Sequence, residues 1–253
     1  ESNSFMLEAL AHRDGAEPIL HPIVRDDMAA MRTAMVDSGA DLLVLSGGSS
    51  VGREDFAPVV AHEIGQVAFH GIALKPGSST GIGRIGSTWV VLGPGYPVAA
   101  FTAWELIVRP LVFALLGTAD RWPYQTRRGQ MAAPYKKRQG RTEIARVAIK
   151  EGDPPLITPL PGGSALLSTL TQADGFLRLD DDVGPLAVGD DVLVHLIYRV
   201  GSRLKAYESL QLGRNSGWNG RHWHVRHRNA EIRVDGHSNA VAQEGTKFRR
   251  LQY

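Results

Sequence analysis

The sequence predicts an α/β domain with a largely parallel sheet over residues 1–119, a small β-rich domain over 120–199 and a basic tail over 200–253. Three observations carry this. Helical and strand-like apolar patterns alternate as far as Gly117. Beyond it, short runs of alternating apolar residues are punctuated by Gly-Pro turns. From Val200 onward no period is sustained and the charge changes sign.

The elements of the first domain follow in order. Asn3 and Ser4 are positioned to cap a helix whose apolar face holds Phe5, Met6, Ala9 and Leu10, with Gly15 as its stop. Pro18–Val24 reads as a strand. Asp26 or Asp27 caps a second helix marked by Met28, Met31 and Met35. Asp41–Ser46 is a continuous apolar strand of the kind buried on both faces. A glycine loop, Gly47–Gly52, leads into a short helix near Glu54–Glu63. Gln66–Leu74 reads as a strand, Lys75–Thr80 as a loop and Thr88–Leu92 as another apolar strand. Gly93-Pro-Gly-Tyr-Pro97 then turns into a long helix, Val98–Leu116, which Pro110 is expected to kink.

In the second domain, 120–140 reads as a linker or edge hairpin. Strands are expected at Thr142–Lys150, Leu156–Leu160, Phe176–Leu179 and Val192–Arg199, with one helix at Ser164–Ala173. The tail carries ten basic and four acidic residues, a net +6, against 18 basic and 22 acidic, a net −4, in the preceding 199. His222, His224 and His227 fit no familiar zinc spacing, so a poorly ordered polar tail is expected, and nucleic acid is not expected as a partner.

Composition narrows the function classes. At 43% hydrophobic and 21% charged residues, the 253-residue chain is globular in type. With no cysteine, disulfides, thiolate metal sites and a cysteine nucleophile are excluded. No apolar run reaches the roughly 20 residues of a membrane span. The chain opens on Glu1 without a signal-peptide pattern, so a fragment of a longer cytoplasmic protein is expected, with no membrane partner.

Two loops share one physical design. Each follows an apolar strand and precedes a helix, the place where open α/β sheets bind ligands. Glycines admit close backbone approach, and a helix N-terminus offers free N–H groups with partial positive charge. In the first loop, Ser46, Ser49 and Ser50 add hydroxyls to Gly47, Gly48 and Gly52; in the second, Gly93, Pro94, Gly95 and Pro97 form a rigid turn. Together they point to a phosphate-bearing ligand, with the N–H groups of Gly47–Val51 and Tyr96–Ala99 facing one cleft. The alternative is glycines that serve only tight turns. Neither loop is a P-loop or a dinucleotide fingerprint. Asp55, at the start of the following helix, is a candidate to hold Mg²⁺ against phosphate or only to cap.

These residues together resemble the molybdopterin molybdenumtransferase family, which includes the E domain of gephyrin. The matches are Glu1-Ser-Asn3, Ser46–Gly52 with Asp55, Phe69–Gly77, Gly93–Val98 and Arg109-Pro110. In the second domain they are Gly140-Arg-Thr-Glu143, Leu167–Leu170 and Ala173-Asp-Gly175. They run in order from Glu1 to about Ile197, and the tail matches nothing in the family. The resemblance implies a three-layer molybdopterin-binding domain and then the small C-terminal β domain. It implies a transferase of molybdenum cofactor biosynthesis that inserts molybdenum from molybdate into adenylylated molybdopterin and releases AMP, assisted by Mg²⁺ and working as a homodimer. Asp55 and Lys75 would be catalytic, with Asp55 on the metal. The two glycine loops would bind the pterin ligand, and Lys75, Ser78, Arg141 and Ser168 would face molybdate.

The chain departs from the family at the site. Ser78 and Ser79 stand where a second Lys and a Pro are usual, Arg53 where an acid is usual and Tyr96 where Asn is usual. The departures admit an alternative: a non-catalytic module that keeps the fold to bind a pterin or nucleotide. Without the family's N-terminal half, including its first strand and an acidic segment of the site, the fragment is expected to be inactive alone.

Overall fold

In the computed structural model, the described residues are 3–48, 55–197 and four strand segments between 222 and 250. Residues 1–199 form one compact unit and 200–253 another.

The first sheet has the order β1-β5-β4-β2, from β1 (Leu42–Ser46), β2 (Gln66–His70), β4 (Gly81–Ile85) and β5 (Thr88–Gly93). Helices cover both faces. On one, α2 (Met28–Val36) and α3 (Phe56–Ile64) pack Met31, Met35, Val60 and Ala61 against Leu43, Leu45, Val90 and Leu92. On the other, Ala11 of α1 (Asn3–Arg13) joins Trp104, Val108 and Val112 against Leu42, Val44 and Val91. Successive β1 residues point to opposite layers, so its apolar run has no polar face.

Only the β1–β5 pairing is parallel among these strands; β5–β4 and β4–β2 are antiparallel. The expected, largely parallel sheet therefore needs correction here. The cause is β4, a Gly-Ile-Gly-Arg-Ile strand whose glycines hide its alternation. A Cβ at Gly83 would lie 2.7 Å from the Gln66 carbonyl oxygen, so only glycine lets these backbones approach. Pro18–Val24 forms no strand: Ile19 and Ile23 are exposed, and two prolines remove ladder donors. Asp27 does cap α2, accepting from the Ala30 N–H at 2.8 Å.

The long helix runs Pro97–Leu115 and is apolar enough to cross a membrane by length and composition. It is a core helix, 61% buried in its apolar window, and it buries Glu105 and Arg109. It divides into α4 (Pro97–Ala103), a π-turn (Trp104–Val108) and α5 (Arg109–Leu115). Pro110 cannot donate to Leu106 and its ring would clash with that carbonyl. The wider turn absorbs this, with the Arg109 N–H donating to the Trp104 carbonyl five residues back. Glu105, on the π-turn, accepts from Arg13 at 2.7 Å and from the Tyr124 hydroxyl at 2.6 Å.

The second sheet joins β3 (Leu74–Lys75), β6 (Thr126–Met131), β7 (Thr142–Lys150), β8 (Leu156–Pro159), β9 (Gly175–Leu179) and β10 (Asp191–Leu196). Because β7 also pairs with β9, the strands β7-β8-β6-β10-β9 close into a ring around Met131, Val147, Ile157, Leu177 and Val194. β6 is a ring strand paired on both sides, where the sequence suggested a linker or edge hairpin. The stretch expected as one strand, Gln66–Leu74, divides at Gly71, where φ is +94°: β2 stays in the first sheet and β3 crosses to pair with β7. α6 (Leu167–Gln172) and α4 pack Leu170, Val98 and Phe101 with Ile144 and Phe176.

The second unit contains an antiparallel meander of β11 (His222–His227), β12 (Ala230–Asp235), β13 (Asn239–Glu244) and β14 (Lys247–Arg250). Each strand spans six residues or fewer, so no period is sustained across the tail and the sequence shows none.

Candidate functional site

The parallel pairing of β1 and β5 sets Ser46 opposite Gly93, so both glycine loops leave the sheet side by side. They touch: a Cβ at Gly95 would stand 3.2 Å from the Gly47 Cα. Gly47 and Gly48 take φ values of +99° and +63°, which favour glycine. Asn3, expected as a helix cap, instead joins the loops, its amide donating to Ser46 Oγ at 2.9 Å and to the Gly95 carbonyl at 2.8 Å. Ser46, Gly95 and Tyr96 are exposed, whereas Gly93 and Pro94 lie beneath the surface.

The expectation that these N–H groups all face a ligand needs amending. The Gly47 N–H donates to the Gly93 carbonyl at 3.0 Å, and the Val98 N–H at the head of α4 donates to the Ser164 carbonyl at 3.1 Å. Pro97 occupies the first turn of α4, as its fixed φ suits. Ser49, Ser50, Val51 and Gly52 lie outside the described residues. Asp55 is the N-cap of α3, but its side chain makes no capping hydrogen bond. Its carboxylate offers one oxygen-donor group for Mg²⁺, a metal that takes its remaining ligands from phosphate and water. No group of three His, Asp or Glu side chains converges on a metal position among the described residues.

The Lys75 loop brings a second set of groups. Its turn is closed by Ile72 N–H to the Ser78 carbonyl at 2.9 Å and by the Thr80 hydroxyl to the Gly77 carbonyl at 2.7 Å. A Cβ at Gly77 would lie 3.4 Å from the Ala99 carbonyl oxygen, so this loop abuts the first turn of α4, directly after the second glycine loop. β3 then lays Lys75 in register with Glu143 of β7. Lys75 and Ser78 are exposed and Arg141 is half-buried.

Glu143 is fully buried and accepts from Arg141 Nε at 2.7 Å, the Tyr135 hydroxyl at 3.0 Å and the Arg138 N–H at 3.3 Å. Burial alone would push its carboxyl up; these hydrogen bonds, with the Lys75 charge, outweigh that and hold it below the usual range. The same burial and the Glu143 charge push the Tyr135 phenol up. Thus the structure gathers Lys75 and Arg141 around one carboxylate. Ser168 is exposed on α6, and no hydrogen bond joins its side chain to either cation. Beside it, Thr169 accepts from the buried Arg146 at 3.0 Å; Arg146 also binds the carbonyls of Pro161 and Gly163 and so holds the loop that covers the Val98 N–H.

Sequence reasoning missed Asn3, Glu143 and Arg146 as site-shaping residues. The available signal was two charges, at 143 and 146, inside an otherwise apolar strand pattern. A cavity of about 440 Å³ opens elsewhere, beside β9 and β10, and none of its lining residues belongs to the glycine loops.

Comparison with known proteins agrees with this anatomy. Residues 1–114 match the family described as "Probable molybdopterin binding domain", and residues 128–197 match "MoeA C-terminal region (domain IV)". The molybdopterin molybdenumtransferase of Haemophilus influenzae is 30% identical over 200 residues, 77% of this chain and 49% of that protein. Molybdopterin molybdenumtransferase 2 of Mycobacterium tuberculosis is 30% identical over 207 residues, 77% of this chain and 50% of that protein. A crystal structure of the molybdopterin biosynthesis MoeA protein from Pyrococcus horikosii superposes with a TM-score of 0.64 at 29% identity, covering 79% of this chain and 49% of that one. The chain spans about half the length of the curated relatives it matches.

Proposed function

Since the chain belongs to the molybdopterin molybdenumtransferase family, we propose that its protein inserts molybdenum from molybdate into adenylylated molybdopterin and releases AMP. The observation that carries this reading is the Lys75–Arg141 pair: Lys75 opens a loop that abuts α4 directly after the second glycine loop, and Arg141, just before β7, binds the Glu143 with which Lys75 is in register. Molybdate is a dianion. Two cations with exposed donor groups suit it, and the adjoining glycine loops suit the phosphate of a pterin ligand.

In this reading Lys75 acts as a point charge and Arg141 presents a planar fork of N–H donors to oxygen. Tyr96 and Gly95 rim the pterin side. Asp55 would hold Mg²⁺ carried on substrate phosphate, and the ion would supply charge neutralisation for a phosphate leaving group. A homodimer completes the proposal; sedimentation of the purified protein at twice the protomer mass would support it, and at one protomer mass would contradict it.

Two observations favour the alternative of a binding module without catalysis. Ser78 leaves the anion position one cation short of the family pattern, and the Gly47 and Val98 N–H groups are already bonded. The experiment that decides is AMP release from adenylylated molybdopterin by the full-length protein. Molybdate-dependent release supports the enzyme, whereas pterin binding without release supports the module.

A further inference from the structure

Glu143 is a carboxylate with no exposed surface, placed at the barrel end of the Lys75–Arg141 pair. Its own position is over-determined. Oε1 takes Arg141 Nε at 2.7 Å and the Arg138 N–H at 3.3 Å, while Oε2 takes the Tyr135 hydroxyl at 3.0 Å. Lys137 Nζ pins the same turn through the carbonyls of Arg141 at 2.9 Å and Arg138 at 3.2 Å. The only side-chain hydrogen bond of Arg141 among the described residues is the one through Nε, which leaves both terminal NH₂ groups without a protein partner.

We propose that Glu143 is a positioning residue that grips Arg141 by its Nε edge and presents the two terminal NH₂ groups, together with Lys75, to a tetrahedral oxyanion. The proposal rests on the oxyanion reading above. An arginine side chain gives up much rotamer freedom when a ligand orders it. Anchoring one edge beforehand removes that cost from binding. The same carboxylate attracts two cations without a bound anion, at the cost of one negative charge near the site.

The proposal separates from a purely electrostatic account by sign. Glu143→Gln keeps the side-chain volume and adds one positive charge to the site. If charge alone governs, oxyanion affinity rises; if positioning governs, it falls, because a neutral amide grips the guanidinium more weakly.

The test is calorimetric titration of sodium molybdate, with sodium sulfate as comparator, into the purified protein. Glu143→Gln is expected to weaken molybdate binding about tenfold or more. Arg141→Lys keeps the charge, lacks Nε and is expected to weaken it similarly. In an Arg141→Ala background, Glu143→Gln is expected to add no further loss. Equal or tighter binding by Glu143→Gln, or additive losses in the double variant, overturns the proposal. Should Glu143→Gln fail to fold by circular dichroism, Arg141→Lys carries the test, and wild-type affinity there overturns it. If Lys75→Ala and Arg141→Ala both bind molybdate as the wild type does, the oxyanion reading itself fails. If they lose binding while Glu143→Gln keeps it, only the positioning role fails.

Discussion

Asn3 shows how much a single side chain does at the site. The residue is 4% exposed, and its amide bridges the two glycine loops through two hydrogen bonds. Asn3→Ala removes both, and thermal or urea unfolding should show a loss of about 1–3 kcal/mol. Asp55 should behave oppositely. Asp55→Asn keeps the side-chain size at the N-cap of α3 and should cost no more than roughly 1 kcal/mol while lowering Mg²⁺-dependent AMP release. Retained full activity in that variant would leave Asp55 as a helix-start carboxylate alone. Ser78 is exposed on the Lys75 loop, and each close cation there supplies about 1–4 kcal/mol of attraction to an oxyanion. Ser78→Lys should therefore bind molybdate more tightly than a weakly binding wild type; equal affinities would mean that position 78 does not face the anion.

Elements set the positions of these groups, and their legibility in the sequence varied for physical reasons. β1, β5, α2 and α3 were readable because each keeps one clean apolar pattern, and Asp27 caps α2 as an Asp before an amphipathic run should. β4 was not readable, because its glycines serve close approach rather than burial. β3 was not readable either: two residues carry no period, and its partner Thr142-Glu143 lies almost 70 residues on. The glycine loops were located, but not the carbonyls that already occupy two of their N–H groups, since those bonds are set by tertiary contact. The linker to the barrel is tied down by Trp122 Nε1, which donates to His195 Nδ1 at 2.9 Å. Burial, with the nearby Arg178 charge, lowers the His195 pKa, so the fold prefers the neutral ring. Below about pH 6.5 the unfolded chain takes up a proton that the fold resists, so this part of the stability is lost as pH falls. Melting temperatures should drop between pH 7.5 and 5.5, and His195→Asn, which keeps an acceptor but does not titrate, should flatten that slope. An unchanged slope would place the pH response elsewhere.

Within residues 1–199, the helix-covered sheet and the closed ring of strands meet through β3 and through the packing of α4 against α6. That arrangement sets Lys75 of β3 in register with Glu143 of β7, the carboxylate that Arg141 also binds, and the oxyanion reading depends on their meeting. The most direct measurement is calorimetric titration of molybdate into the wild type, Lys75→Ala and Arg141→Ala, with folding checked by circular dichroism. The account predicts measurable wild-type binding and a loss of about tenfold or more in each variant. Wild-type affinity in both folded variants would contradict it.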